Sequence, residues 1–257
     1  STPYIDFPVA PYRLDCALTY KLSNKVEFGL SPEDRVKREL SFDEWKSILE
    51  KAWSNGIPHV IFTGGEPTLR PDLFEIIIKA EELGMVTGLA TDGLRLSEND
   101  YLEKLLNTGL DHLLITFEPE NEQSWEALRD IIPQDIHTTV HLTIEKSTWE
   151  EYVKVFNEFK NIGVENISLS FKNPDLENLV IDLRNKAAEY GFNLDWDLPV
   201  PYSHFNPVSF EIDVVGPTPE GAGKAWLYLE PDGDTLPAQG INKPLGNFLT
   251  DSWEWIW

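Results

Sequence analysis

The residues best placed to do chemistry lie in one stretch, "FTGGEPTLRPDL", residues 62–73. Gly64 and Gly65 directly follow a strand-like run, and glycines there let bare backbone come close to a bound molecule. Glu66 then stands at the C-terminal rim of a sheet, the end at which ligands bind in open α/β folds. A carboxylate beside bare backbone groups suits a ligand that carries an ammonium. A tight turn closing the strand and stiffened by Pro67 explains the same residues, and physics alone leaves the two readings even.

A second set comes from strands that alternate where buried parallel strands normally read as continuous apolar runs. Ile136, Val140, Leu142 and Ile144 share one face of a strand, and His137, Thr139, His141 and Thr143 share the other. Ile115 and Phe117 likewise oppose Thr116 and Glu118, and Ile167 and Leu169 oppose Ser168 and Ser170. If the apolar faces meet helices, the polar faces line a lumen that water, internal bonding or a polar ligand must satisfy. His137, His141 and Glu118 are candidate metal ligands by type only. Positions i and i+4 on a strand are about 13 Å apart, too far for one ion, so no metal site is expected. Cys16, the only cysteine, sits in an apolar strand pattern, which predicts a buried structural thiol and excludes an internal disulfide.

The elements that must position these groups alternate regularly. Strands are predicted over 12–20, 59–63, 86–91, 112–117, 136–144 and 166–171. Helices lie between them. One opens on Ser41 and Glu44 as a capping box with Trp45 starting its apolar face, and another opens at Pro71 with Asp72 and Glu75 in the first turn. Gly84, Gly109, Gly163 and Gly191 fall where helices should stop. Such repetition implies a parallel α/β sheet with right-handed crossovers, and about six units are too few for a closed eight-fold barrel. The expected architecture is a partial TIM-like (βα)6 barrel over residues 1–198. Residues 199–257 form a small appended unit: a proline- and aromatic-rich start, a hairpin turning at Asp232-Gly233, and a last short helix capped by Asp251 or Ser252.

Composition narrows the partners. The formal charge is −23, from 44 acidic and 21 basic residues in 257, with no basic patch, so no nucleic-acid or anionic-membrane partner is expected. No apolar run spans a bilayer and no signal-peptide pattern appears, which gives a cytoplasmic expectation. A small-molecule ligand or a protein partner remains.

The order of motifs resembles the radical S-adenosylmethionine (radical SAM) superfamily over most of the chain. Gly64-Gly65-Glu66-Pro67 matches the family loop after the second strand, which holds the cofactor's methionine amino group. "ATDGLRLS" resembles the family's Thr-Asn-Gly segment, with Thr91 kept and Asp92 in place of Asn. "ITFEPE" places Glu118 where the family faces the cofactor ribose, and His141 lines the same lumen. "YLEPDGDTLPAQG" and the chain end resemble the SPASM/twitch extension. The family's Cys-x3-Cys-x2-Cys loop, however, reads Leu22, Val26 and Gly29 here, and the extension's Pro-Cys reads Pro237-Ala238. An iron–sulfur cluster needs thiolate ligands. The resemblance therefore implies S-adenosylmethionine or an analogue bound at Gly64, Gly65, Glu66, Pro67, Thr91, Glu118 and His141. It also implies no iron–sulfur cluster, no radical chemistry, and a pseudoenzyme that binds a small molecule or a partner protein. Whether any catalysis remains is left open. The alternatives are non-radical acid–base chemistry by His141, Glu118 or Glu66, a radical enzyme with unusual cluster ligation, and a scaffold using its Trp-rich end. Residues 21–40 are expected to be held by packing of Leu22 and Val26 rather than by metal.

Overall fold

From β1 (Arg13–Thr19) the chain runs through α1 (Phe42–Ser54), β2 (His59–Gly64), α2 (Leu73–Leu83), β3 (Val86–Thr91), α3 (Tyr101–Leu106), β4 (His112–Thr116) and α4 (Glu122–Ile131). It continues through β5 (His137–Ile144), α5 (Trp149–Ile162), β6 (Asn166–Phe171), α6 (Glu177–Glu189) and β7 (Asn193–Leu194). Strands β8 (Trp226–Leu229), β9 (Asp234–Leu236) and β10 (Gly246–Asn247) and the short α7 (Trp253–Ile256) complete it. This computed structural model describes residues 8–24, 36–206 and 218–257.

All ten strands form one sheet in the order β10-β9-β8-β1-β2-β3-β4-β5-β6-β7. Strands β1 to β7 are parallel, as expected of strand–helix crossovers, and the fold is a mixed α/β partial barrel. The C-terminal hairpin joins the same sheet: β8 pairs parallel with β1, and β9 and β10 follow antiparallel. Its turn is at Asp232-Gly233, where Gly233 has φ 89° and donates to the carbonyl of Glu230 at 2.8 Å.

Local sequence explains the elements. Ser41 Oγ accepts from Glu44 N at 3.3 Å while Glu44 Oε2 accepts from Ser41 N at 2.8 Å, the capping box that starts α1. Helix α2 begins at Leu73, two residues later than Pro71. The Arg70 guanidinium bonds Asp72 and the carbonyls of Leu18 and Leu40, which holds residues 70–72 in a turn.

Alternation along the strands sorts the side chains as expected. Val140, Leu142, Ile144, Ile167 and Leu169 pack against α5 and α6 with Phe156 and Phe159. Leu14, Phe62, Leu89 and Ile115 pack on the helices before them, with Trp45 fully buried. Each such large side chain contributes about 1.5–3 kcal/mol on burial. The opposite faces form the lumen, where Ile61, Ala90 and Leu114 make a small apolar floor. Cys16 is buried in the helix-facing core, where burial pushes its thiol well up.

Candidate functional site

The chain after Gly64 turns over the rim of β2, and Glu66 caps a single 3-10 turn, Pro67–Leu69. The buried Glu66 carboxylate is held by three residues from two pieces of chain. Oε1 accepts from Thr68 N at 3.0 Å, Thr68 Oγ1 at 2.6 Å and Thr91 Oγ1 at 2.7 Å. Oε2 accepts from Asp92 N at 2.7 Å. Burial first, and the neighbouring Asp92 charge second, push Glu66 up to about 8, so near neutral pH it holds a proton.

The two glycines have an immediate steric reason. A Cβ on Gly64 would stand 2.1 Å from the Thr19 carbonyl oxygen, and one on Gly65 would stand 2.3 Å from that of Lys21 and 2.9 Å from Leu22 Cδ2. Gly65 N and Glu66 N donate to those carbonyls, Thr19 O at 2.9 Å and Lys21 O at 2.7 Å. The segment leaving β1 is thus laid directly on the Gly-Gly turn. Leu22 takes part in this packing; Val26 and Gly29 fall outside the described residues.

His141 lies in the lumen, fully enclosed. Its Nδ1 is 3.1 Å from Ser168 Oγ and its Nε2 3.0 Å from Ser170 Oγ, with Thr143 Oγ1 at 3.3 Å. Burial pulls its pKa down to about 4, so it is a neutral imidazole tied into hydroxyl groups. His137 stands apart at the strand's start, half-exposed, 3.7 Å from Asp195. Glu118 sits beyond the end of β4, where burial raises its pKa and the opposing influences are His204 and Asn121.

A small cavity of about 40 Å³ brings Gly65, Glu66, Glu118 and His141 together, with Asp92 and Thr143 beside them. Gly64, Pro67 and Thr91 stand behind its wall rather than in it. The roof is Val200–Phe205, a segment tied down by Tyr202 N donating to Gly64 O at 2.6 Å and by Tyr202 packing edge-on against Tyr20 at 5.4 Å. The proline- and aromatic-rich texture of this stretch is visible in the sequence, but nothing in it places the stretch over the site. Outside this roof is a larger cleft of about 650 Å³ between the ends of β4 and β5 and helix α5. Glu118, His204 and Phe205 border both spaces.

Among the described residues, Glu230, Asp232 and Asp234 bring carboxylate oxygens within 4.8 Å of one another. Asp232 accepts from Asp234 N at 3.0 Å within the β8–β9 turn, and Glu230 accepts from Tyr20 OH at 3.2 Å. No helix among the described residues is long and apolar enough to cross a membrane.

The family described as the Radical SAM superfamily matches residues 16–172. A "PqqA peptide cyclase" of Gluconobacter oxydans is 25% identical over 90% of this chain and 70% of its own length. The crystal structure of Streptococcus suis SuiB bound to precursor peptide SuiA superposes with a TM-score of 0.70 at 16% identity, covering 95% of this chain and 64% of that one. SuiB bound to S-adenosylmethionine gives 0.69, and native anSMEcpe with bound AdoMet gives 0.67 at 15% identity, covering 96% of this chain and 80% of that one. The chain therefore spans just under two thirds of SuiB.

These findings overturn the pseudoenzyme reading. It rested on the lost cysteines alone, whereas the similarity runs through nearly the whole chain to a protein named as a peptide-modifying enzyme. The family's cofactors fit the residues unequally. For S-adenosylmethionine the polar set fits: a rim carboxylate at Glu66 and a cavity lined by the polar side chains of Thr116, Glu118, His141 and Thr143. An iron–sulfur cluster does not fit the residues present. Cys16, the only cysteine, lies inside the core under α1 and α2, away from the mouth.

Proposed function

The chain belongs to the radical SAM superfamily, and on that premise we propose that it is a peptide-modifying enzyme that binds S-adenosylmethionine at the barrel mouth and a peptide in the adjoining cleft. The observation that carries the reading is the Glu66 carboxylate, anchored from the β2 loop, Thr68, Thr91 and Asp92, at a cavity that opens towards a peptide-sized cleft. Peptide chemistry is supported by the name of the Gluconobacter relative and by the precursor peptide bound to SuiB.

In this reading Gly64, Gly65 and Glu66 receive the ammonium of the methionine end, with Pro67 and Thr91 fixing the loop and the carboxylate. Glu118 and His141 meet the remaining polar groups of the ligand from the lumen side. S-adenosylmethionine, when bound, supplies an activated carbon on its sulfonium. The chain's own part is binding, orientation and exclusion of water. An ammonium ligand displaces the Glu66 proton, since a carboxylate beside a cation is favoured in its charged form. A cavity of about 40 Å³ is smaller than a nucleoside, and lifting Val200–Phe205, with Tyr202 N leaving Gly64 O, is the movement that would enlarge it.

Calorimetry with S-adenosylmethionine and S-adenosylhomocysteine on the parent and on Glu66→Gln tests the reading. The expected result is binding by the parent and a ten- to hundredfold loss, about 1.5–3 kcal/mol, in the variant. Absence of binding by the parent would overturn it.

A further inference from the structure

The cleft outside the roof has two kinds of wall. Phe117, Tyr152, Val155 and Phe205 supply apolar surface, and carboxylates from the β4 and β5 ends and from α5 supply charge. Most of these carboxylates already have partners. Glu120 is paired with Lys146, Glu145 with Lys172 at 2.7 Å, and Glu151 accepts from Thr148 Oγ1 at 2.9 Å. Lys172 also lies over the Phe205 ring at 5.8 Å, so that lysine is fixed at the cleft edge.

Glu118 differs. It is half-buried and borders both the inner cavity and the cleft. Among the described residues no lysine or arginine is within 4.0 Å of its carboxylate. Asn121 and the neighbouring His204 favour its charged form, while the like charges of Asp92 and Glu145 oppose it. Lys154, the remaining lysine of the cleft, lies on α5 and is not paired with it. A carboxylate taken partly out of water with so little counter-charge gains from a cation brought by a ligand. The apolar walls beside it suit a methylene stem, the part of a long basic side chain that buries while its head finds charge. The whole-chain charge of −23 draws cations towards such a site.

We propose that the outer cleft is a subsite for a basic side chain of the bound peptide, an ammonium or guanidinium on an apolar stem, with Glu118 as its counter-charge. This deepens the peptide reading above and rests on it, but its test needs no S-adenosylmethionine, so the two fail separately. The full chain is titrated with acetylated, amidated pentapeptides that carry lysine, arginine or norleucine between pairs of glycines, with affinity read by nuclear magnetic resonance.

The lysine or arginine peptide is expected to bind about tenfold more tightly than the norleucine peptide, and Glu118→Gln to erase that difference. The charge-matched control Glu122→Gln, on the outer face of α4, is expected to change affinity less than about twofold. Equal binding of all three peptides, or no binding of the basic ones, would overturn the proposal. So would equal losses in the two variants, which would show only diffuse attraction by an acidic surface. Comparing lysine with arginine identifies the preferred head group. Thermal denaturation confirms that each variant is folded; should Glu118→Gln fail to fold, Glu118→Asp keeps the charge but shortens its reach, and must weaken the basic peptides selectively.

Discussion

At the scale of single residues, the site turns on the proton of Glu66. Four donors point at its carboxylate, which favours the charged form, yet complete burial and the Asp92 charge push the pKa up to about 8. An ammonium ligand needs the ionised form, so affinity for S-adenosylmethionine should rise as Glu66 ionises between about pH 6 and 8 and fall beyond that as the ligand's own α-ammonium loses its proton. Asp92→Asn removes the like charge while its side-chain oxygen still reaches Leu94 N, now 3.0 Å from Oδ1. The variant should move the rise to lower pH and tighten binding severalfold at pH 7; a profile unmoved by the substitution would show that Asp92 does not set the Glu66 proton. This coupling was not legible in the sequence. Glu66 was found from its motif, but its burial and its contact with Asp92, 26 positions on, exist only once β2 and β3 are paired. The glycines were legible as close-approach positions, whereas what approaches them, the backbone of residues 19–22, was not.

At the scale of elements, β5 and the 200–206 segment divide the task. Strand β5 was readable because its alternation of His and Thr with Val, Leu and Ile has one solution in a helix-covered sheet. Its polar face closes on itself through His141, Ser168 and Ser170, a rigid floor. The roof has no such pattern: Val200–Phe205 has no regular structure, and its contacts, Tyr202 with Gly64 and Tyr20, link residues more than a hundred positions apart. Periodicity carries no information about such pairings. The Tyr202 amide reports on this roof. In the free protein it should exchange slowly with solvent, and S-adenosylmethionine should accelerate it if the segment lifts to admit the ligand. Tyr202→Ala, which removes a buried ring, should accelerate it without ligand and raise affinity by about the free energy of roof closure. Ligand binding with unchanged exchange at Tyr202 would mean that entry occurs by another route.

At the scale of the whole molecule, buried titratable groups of opposite kinds set the pH range of the fold. His59 and His112 meet at 2.8 Å between their Nε2 atoms at the start of β2 and β4, and burial pulls both down to about 4, as it does His141. In the unfolded chain they take protons near 6.5, so the stability of their neutral packing is present above that value and lost as pH falls towards 4. Asp15, paired with Arg13 at 2.6 Å yet raised by burial to about 6, and Glu66, raised to about 8, act in the other direction. Their protonated forms favour the fold at low pH, and that contribution is lost as pH rises through the folded pKa values. Between about pH 4.5 and 6 the three histidines oppose Asp15 and Glu66, so these buried groups leave a net gain in stability as pH rises, reduced by the raised Glu118. Above 6.5 Glu66, raised the furthest, dominates, and stability should fall as pH rises towards about 8. Denaturant unfolding from pH 4.5 to 9 should therefore show a maximum near pH 6 to 6.5. In Glu66→Gln the whole curve is lowered by the broken hydrogen bonds, but its alkaline limb should become flat. A limb that keeps its slope in that variant would assign the alkaline loss to general repulsion in a chain of charge −23 rather than to the carboxyl group at the barrel mouth.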